Sequence, residues 1–355
     1  MVFKKLKEEF KEEFIKLEKT DQEPEWHREG NVLIHTKMVV ETLKRLEEYK
    51  SLSEKEQEIV MYAAVLHDIG KPETTKVEEG RITSKNHSIV GEKKARIMLR
   101  NYKFEFREAV CLLIRYHGYP IHYWKKNEKE IVDMSYKVYS LKLLYILAKA
   151  DLLGRLTSEE GTEDSLANID YFKEKAEICD CYEKEKFFKS ERSKMHFLKT
   201  GEIYDPYVEK KSKVYVMSGI PGSGKDNYIK RKLKNIKEIS LDKIRREMKV
   251  RRGNKKEEGR LAQEAKSRAK VLLAAKEDFV WNGTNTNAGL RRDLISIFLE
   301  YGAYVSIIYV ERNLEEVLRD NKKREASVPE EYIRNKFKYI DIPDRTECHE
   351  LIIEV

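Results

Sequence analysis

The stretch KVYVMSGIPGSGKDNYIKRKL, residues 213–233, decides the architecture of the C-terminal half. Lys213 to Ser218 is a short β-branched run that reads as a strand. It feeds the turn Gly219-Ile220-Pro221-Gly222-Ser223-Gly224-Lys225, after which a helix begins. In a strand–glycine turn–helix, successive backbone N–H groups and a helix N-terminus converge on one point and favour an anion there. Working downstream, Ile239 with its neighbours, DFVWN, AYVSIIYV and the terminal LIIEV are further strand candidates, with helical stretches between them. Strands alternating with helices predict an α/β domain with a parallel sheet covered on both faces.

Upstream the pattern changes. TKMVVETLKRLEEY, EKEQEIVMYAAVLHDIG, HSIVGEKKARIMLRN, REAVCLLIRYHG and SLKLLYILAKADLLGRL each place apolar residues at helical spacing. Gly70-Lys71-Pro72 and Gly118-Tyr119-Pro120 break the run. This half is expected to be an all-α domain over 1–190. The polar segment 191–212, which holds Asp205-Pro206, reads as a linker, and the α/β domain as 213–355.

Charged residues make up 38% and hydrophobic ones 40% of the 355 residues, the profile of a soluble, helix-rich chain. No apolar run approaches the roughly 20 residues of a membrane span, and the charged N-terminus lacks the apolar stretch of a signal peptide. Four cysteines, Cys111, Cys179, Cys181 and Cys348, form no metal-ligand or disulfide framework, so a reducing cytoplasm is the expected location. The net charge of +8 suits a phosphate-bearing partner without demanding one. Between Lys230 and Lys256 stand thirteen Lys or Arg against three acids. Such a run is commonly a solvated face; its position just after a phosphate-binding turn favours contact with a nucleic-acid backbone.

In the helical half, His67-Asp68 continues the stripe Val60, Ala63, Ala64, and Asp151 continues Leu144, Leu147, Ala148. His117 continues Val110, Leu113, Ile114, and His35 shares a face with Val32, Val39 and Leu43; His87 opens a further helical stretch. A single histidine on an apolar face is usually a satisfied core residue. Four helices each aiming a ligand-type side chain inward need a cation or dense pairing to tolerate it. Imidazole mixed with carboxylate suits Mn, Fe, Co, Ni or Zn better than Ca. The order H…HD…H…H…D resembles the HD phosphohydrolase superfamily, all-helical metal-dependent enzymes acting on phosphate esters. The resemblance implies that His35, His67, Asp68 and Asp151 hold one metal. His87 and His117 complete a second, with Asp68 bridging, for in-line attack by an activated water. Lys71, just past the pair, either meets a substrate phosphate or is an exposed lysine at a helix end. His27 is a further candidate for the pocket.

The turn 219–225 has the spacing of a Walker A loop: Gly219, Pro221, Gly222, Ser223 and Gly224 cradle the phosphates of an NTP and Lys225 reaches the β and γ groups. The next position, ordinarily Ser or Thr for the magnesium ion, is Asp226, itself a good magnesium ligand. ISLDKIRREM places Asp242 past the second strand and Arg245 three residues on. Asp242 reads as a general base for an acceptor hydroxyl or as a helix cap. The element resembles the S-D-x-x-R of polynucleotide kinases, where the arginine contacts a nucleic-acid phosphate. VWNGTNTNAGLRR resembles their T-N…R element, matching Thr284, Asn285 and Arg291, with Arg292 competing. RDNKKREASVP resembles the lid whose arginine, here Arg324, stabilises the transferring phosphoryl; Arg319 is a weaker match. No strand-end Asp of the Walker B kind stands at DFVWN, which disfavours a motor ATPase.

Together the two halves resemble the bacterial HD-domain polynucleotide kinases. The resemblance implies an end-healing enzyme: NTP-dependent phosphorylation of 5′-OH ends of RNA or DNA, and hydrolysis of 2′,3′-cyclic phosphate or 2′-phosphate ends. It also implies Mg2+ with ATP or another NTP at one site, one or two divalent transition metals at the other, and a separate nucleic-acid ligase as partner. Two other readings are a nucleotide hydrolase fused to a metabolite kinase, and a hydrolase gated by an NTP-sensing P-loop.

Overall fold

The structure, a computed structural model, describes residues 2–205, 211–251, 253–323 and 327–355. It divides into two compact units between Phe187 and Phe188.

The first unit is built from helices. Those that carry the argument are α1 (Val32–Arg45), α2 (Glu54–Leu66), α3 (His87–Met98), α4 (Phe104–Tyr116), α5 (Leu141–Leu153) and α6 (Glu159–Ile178). Their starts are set locally: Asn31 caps α1, Ser140 caps α5, and Ser53 with Glu56 forms a reciprocal capping box on α2. The expected apolar stripes are buried, with Val39, Leu43, Val60, Ala63, Ala64, Val110, Leu113, Ile114, Leu144 and Leu147 all excluded from solvent. One element departs from the all-helical expectation. Strands β1 (Lys76–Glu78) and β2 (Arg81–Thr83) pair antiparallel, Val77 opposite Ile82. Glu79 and Gly80, both at positive φ, make the two-residue turn that closes such a hairpin. The ribbon is too short and charged to show a strand period.

Gly70 lets the turn after α2 approach α3. A Cβ there would lie 2.2 Å from the His87 carbonyl oxygen and 2.5 Å from the Gly91 nitrogen.

The second unit carries five parallel strands, β3 (Lys213–Ser218), β4 (Lys237–Ser240), β5 (Phe279–Asn282), β6 (Tyr304–Val310) and β7 (Glu350–Glu354), in the order β4-β5-β3-β6-β7. Its helices are α7 (Glu191–Thr200), α8 (Lys225–Lys232), α9 (Leu241–Glu247), α10 (Lys255–Ala274), α11 (Ala288–Glu300), α12 (Leu314–Lys322) and α13 (Glu330–Lys338). Alternation along β3 feeds two cores. Val214 and Val216 join Trp281, Ile307 and Phe298 on one face, and Met217 joins Ile229, Val280 and Ile308 on the other. The sheet is therefore covered on both sides, as parallel sheets require.

The expected linker 191–212 is corrected in part. Residues 191–200 form α7, capped by Ser190, with Phe197 and Leu198 buried. Arg192 donates to the Gly302 carbonyl and Lys194 to the His349 carbonyl, so α7 packs within the second unit. Its polar composition is the solvent face of an amphipathic helix. No helix among the described residues is long and apolar enough to cross a membrane.

Candidate metal centre and nucleotide site

In the first unit, His67 ends α2, His117 ends α4, His87 opens α3, and His35 and Asp151 lie within α1 and α5. Three histidines are held in the same way. Nδ1 of His67, His87 and His117 donates, each at 2.8 Å, to the carbonyl three residues earlier, that of Ala64, Ser84 and Ile114. A carbonyl can only accept, so the proton sits on Nδ1 and the Nε2 lone pair faces inward. The lone pairs of His87 and His117 then face each other, with Nε2 atoms 3.3 Å apart, and Nε2 of His67 lies 3.3 Å from Nε2 of His35. Opposed acceptors at that distance call for a cation or a proton between them.

The carboxylates complete the set. Nε2 of His35 is 2.9 Å and that of His67 3.7 Å from Asp151 Oδ1. Asp68 turns Oδ2 toward His67, at 3.2 Å, and Oδ1 toward His87, at 3.5 Å. Two groups of ligand-type atoms result, His35–His67–Asp151 and Asp68–His87–His117, each with its atoms within 4.8 Å of one another. Asp68 lies between them. This donor set fits one or two divalent metals.

Electrostatics follow from burial and neighbours. Burial pushes His117 down to about 3 and lowers His87, so both are neutral near pH 7. Burial disfavours charge on His67, but the Asp68 carboxylate raises it on balance. Burial would raise the carboxyls of Asp68 and Asp151; His67 and Lys71 on the first and Arg155 on the second hold both well below the usual range. Proton and metal compete for the same Nε2 atoms.

Lys71 is neither exposed nor turned outward: it is buried, with Nζ 2.7 Å from Asp68 Oδ2 and 2.6 Å from Gln22 Oε1. His27 also reaches the site's edge, through a residue the sequence did not single out. Glu29 Oε1 is 2.8 Å from His27 Nδ1 and 3.0 Å from His35 Nδ1, the latter close but outside hydrogen-bond geometry. Its other oxygen accepts from the Leu156 N–H at 2.9 Å. A carboxylate behind a ligating imidazole orients it and raises its basicity. Glu29 sits in a loop with no period to betray it. Arg155, an ion-pair partner of Asp151 and one helical turn away, was legible from that spacing.

In the second unit the loop after β3 is drawn tight. Gly219 has φ 149°, and a Cβ there would lie 2.4 Å from the Val310 carbonyl oxygen. Lys225 Nζ donates to the Gly219 and Ile220 carbonyls at 2.9 and 2.8 Å, which keeps the ammonium inside the loop. Arg312, just past β6, places Nη1 3.5 Å from the Gly222 carbonyl. The arginines expected here from sequence stand further along the chain. Arg319 is exposed on α12, and Arg324 lies outside the described residues.

Ser240 caps α9, accepting from Lys243 N–H at 3.3 Å. Asp242 is therefore not the cap, and its side chain is 75% exposed. Arg245 makes a two-pronged pair with Glu258, at 2.6 and 2.8 Å. Thr284 and Asn285 follow β5. The Thr284 carbonyl accepts from Gly219 N–H at 2.9 Å, and Asn285 Nδ2 donates to the Met217 carbonyl at 2.6 Å. Arg291, expected to contact substrate, lies inside the fold. Its side chain is fully buried, paired through Nε and Nη2 with Glu347 at 2.8 Å each, while Nη1 donates to the Asn285 and Asp341 carbonyls. It braces the loop from inside, and its neighbour Arg292 is the exposed one.

Comparison with known proteins agrees with this division. Residues 32–155 match the HD domain family model, and residues 214–340 match an AAA domain model. Two solved structures align over part of the chain. "Structure of the Pnkp1/Rnl/Hen1 RNA repair complex" is 18% identical, covering 38% of this chain and 49% of that one, with TM-score 0.33. "Structure of Pnkp1/Rnl/Hen1 complex" is 21% identical, covering 39% and 47%, with TM-score 0.31. The chain spans about half the length of those it matches.

Proposed function

We propose that this chain, an HD domain followed by an AAA-type P-loop domain, heals nucleic-acid ends. Its P-loop half phosphorylates 5′-OH ends of RNA or DNA from an NTP. Its HD half removes 2′,3′-cyclic phosphate or 2′-phosphate from the opposite end. The observation that carries the kinase reading is Asp242: it stands past the end of β4 on the loop edge of the sheet, exposed, with capping left to Ser240. A carboxylate there can accept the proton of an attacking hydroxyl. Lys225 would leave its loop carbonyls for the phosphates, and Arg312 or Arg324 would meet the transferring group. Arg245, oriented by Glu258, would offer a guanidinium to the acceptor strand, and Thr284 and Asn285 hold the loop edge in place.

In the HD half, His35, His67 and Asp151, with Asp68, His87 and His117, would hold one or two divalent metals that supply an acidified water and neutralise phosphate charge. The chain's own part is to fix every Nε2 inward and to keep Asp68 and Asp151 ionised. Lys71, paired with Asp68, would trade that partner for a substrate phosphate. Sealing of the healed ends would fall to a separate ligase, and the cytoplasm suits four buried, unpaired cysteines.

Transfer of label from γ-labelled ATP to a 5′-OH oligonucleotide, in wild type, Asp242→Ala and His67→Ala, tests this reading. Transfer is expected in wild type and His67→Ala and lost in Asp242→Ala. Label reaching a small metabolite but no oligonucleotide, or ATP bound and never consumed, would overturn it.

A further inference from the structure

Asn282 closes β5, the strand beside the P-loop strand, and its amide nitrogen lies 2.8 Å from both Asp226 Oδ1 and Glu238 Oε1. That nitrogen only donates, and its two hydrogens are directed to two carboxylates. The arrangement follows from register. Trp281 is level with Val216 in the sheet, so the next residue stands beside the start of α8, whose first turn carries Asp226.

In P-loop NTPases the position after the lysine carries a hydroxyl and the strand end carries an acid, and the two hold the nucleotide's magnesium. Here the acid follows the lysine and the neutral side chain ends the strand. We propose that the two positions have exchanged roles: Asp226 supplies the negative charge for the magnesium of the bound nucleotide, and Asn282 is the positioning residue that holds its carboxylate. The proposal rests on the P-loop reading above but not on the identity of the acceptor.

Charge explains why both positions differ together. Either arrangement places one negative charge on the pair. An Asn282→Asp change alone would set a carboxylate at hydrogen-bond distance from the oxygens of Asp226 and Glu238, which like charges resist. Asp226→Ser alone would leave the pair without a charge. Glu238 is already matched by Lys243, its ion-pair partner.

The test measures binding of a non-hydrolysable ATP analogue to the full chain by calorimetry, with and without Mg2+. Bound Mn2+ is followed in parallel by paramagnetic resonance. Asp226→Ser, Asn282→Asp and the double variant are compared, each also with Glu238→Gln to relieve repulsion at that side. Each single variant is expected to lose about tenfold of the metal-dependent tightening, and the double variant to recover most of it in at least one background. Every variant is expected to keep metal-free binding, which shows an intact loop, with Asp226→Ser tighter and Asn282→Asp weaker as negative charge near the phosphates falls or rises. The proposal is overturned if the two losses simply multiply in both backgrounds, if Asp226→Ser keeps full metal dependence, or if wild type shows none. Failure of transfer to 5′-OH ends with the rescue intact would sink the acceptor reading alone.

Discussion

Arg291 and Glu347 show how a buried pair separates bracing from binding. The guanidinium is spent on Glu347 and two loop carbonyls, and burial raises the Glu347 carboxyl even against that partner. Arg291→Leu is expected to destabilise the second unit by about 3–5 kcal/mol in urea unfolding, because it strands a buried acid. A loss of oligonucleotide affinity with unchanged stability would mean that the side chain reaches substrate after all. His349 offers a pH signature in the same unit. Its Nδ1 accepts the Val305 N–H at 3.0 Å, and burial lowers it to about 3. The folded state thus keeps it neutral, while the unfolded chain takes up a proton below about 6.5. Stability from this group is complete above about pH 6.5 and is lost as pH falls toward 3, by at most about 1.4 kcal/mol per pH unit. His349→Asn, whose oxygen can still accept, should flatten that slope in urea midpoints measured across the window.

Among the elements, the turn between α2 and α3 is the most constrained. Gly70→Ala would drive a methyl into the backbone of His87 and Gly91. It should cost about 1–3 kcal/mol by overpacking and weaken metal uptake by the His87 side, read as bound metal per chain. Helix existence was legible in sequence because each apolar stripe in this half spans several turns. His67, His117 and Asp151 were legible for the same reason, being continuations of those stripes. The β1–β2 hairpin was not, because its six strand residues, four of them exposed, carry no period. Helix α7 was hidden by its charged outer face, and Glu29 by a loop whose shape depends on contacts with Leu156 far along the chain. All five strands of the second unit were recognisable as short apolar runs set between helical stretches. Asn282, beside Asp226, was not, since only the register of β3 and β5 brings the two together.

At the scale of the molecule, the His/Asp cluster described above lies within 1–187 and the glycine turn with its sheet core within 188–355. Fragments 1–187 and 188–355 are each expected to fold. Chelation should lower the melting temperature of the first and leave the second unchanged, whereas Mg-ATP should raise that of the second alone, by the usual coupling of binding to unfolding. A second fragment begun at residue 213 should melt lower than one begun at 188, because it lacks α7.

The carbonyl three residues behind His67, His87 and His117 makes each imidazole an extension of the backbone it springs from. An ion held by any of these rings would therefore feel the ends of α2 and α4, or the backbone just before α3, through that carbonyl. With cobalt as that ion, the visible absorption band becomes a colour gauge for fraying at three helix ends, with no attached dye.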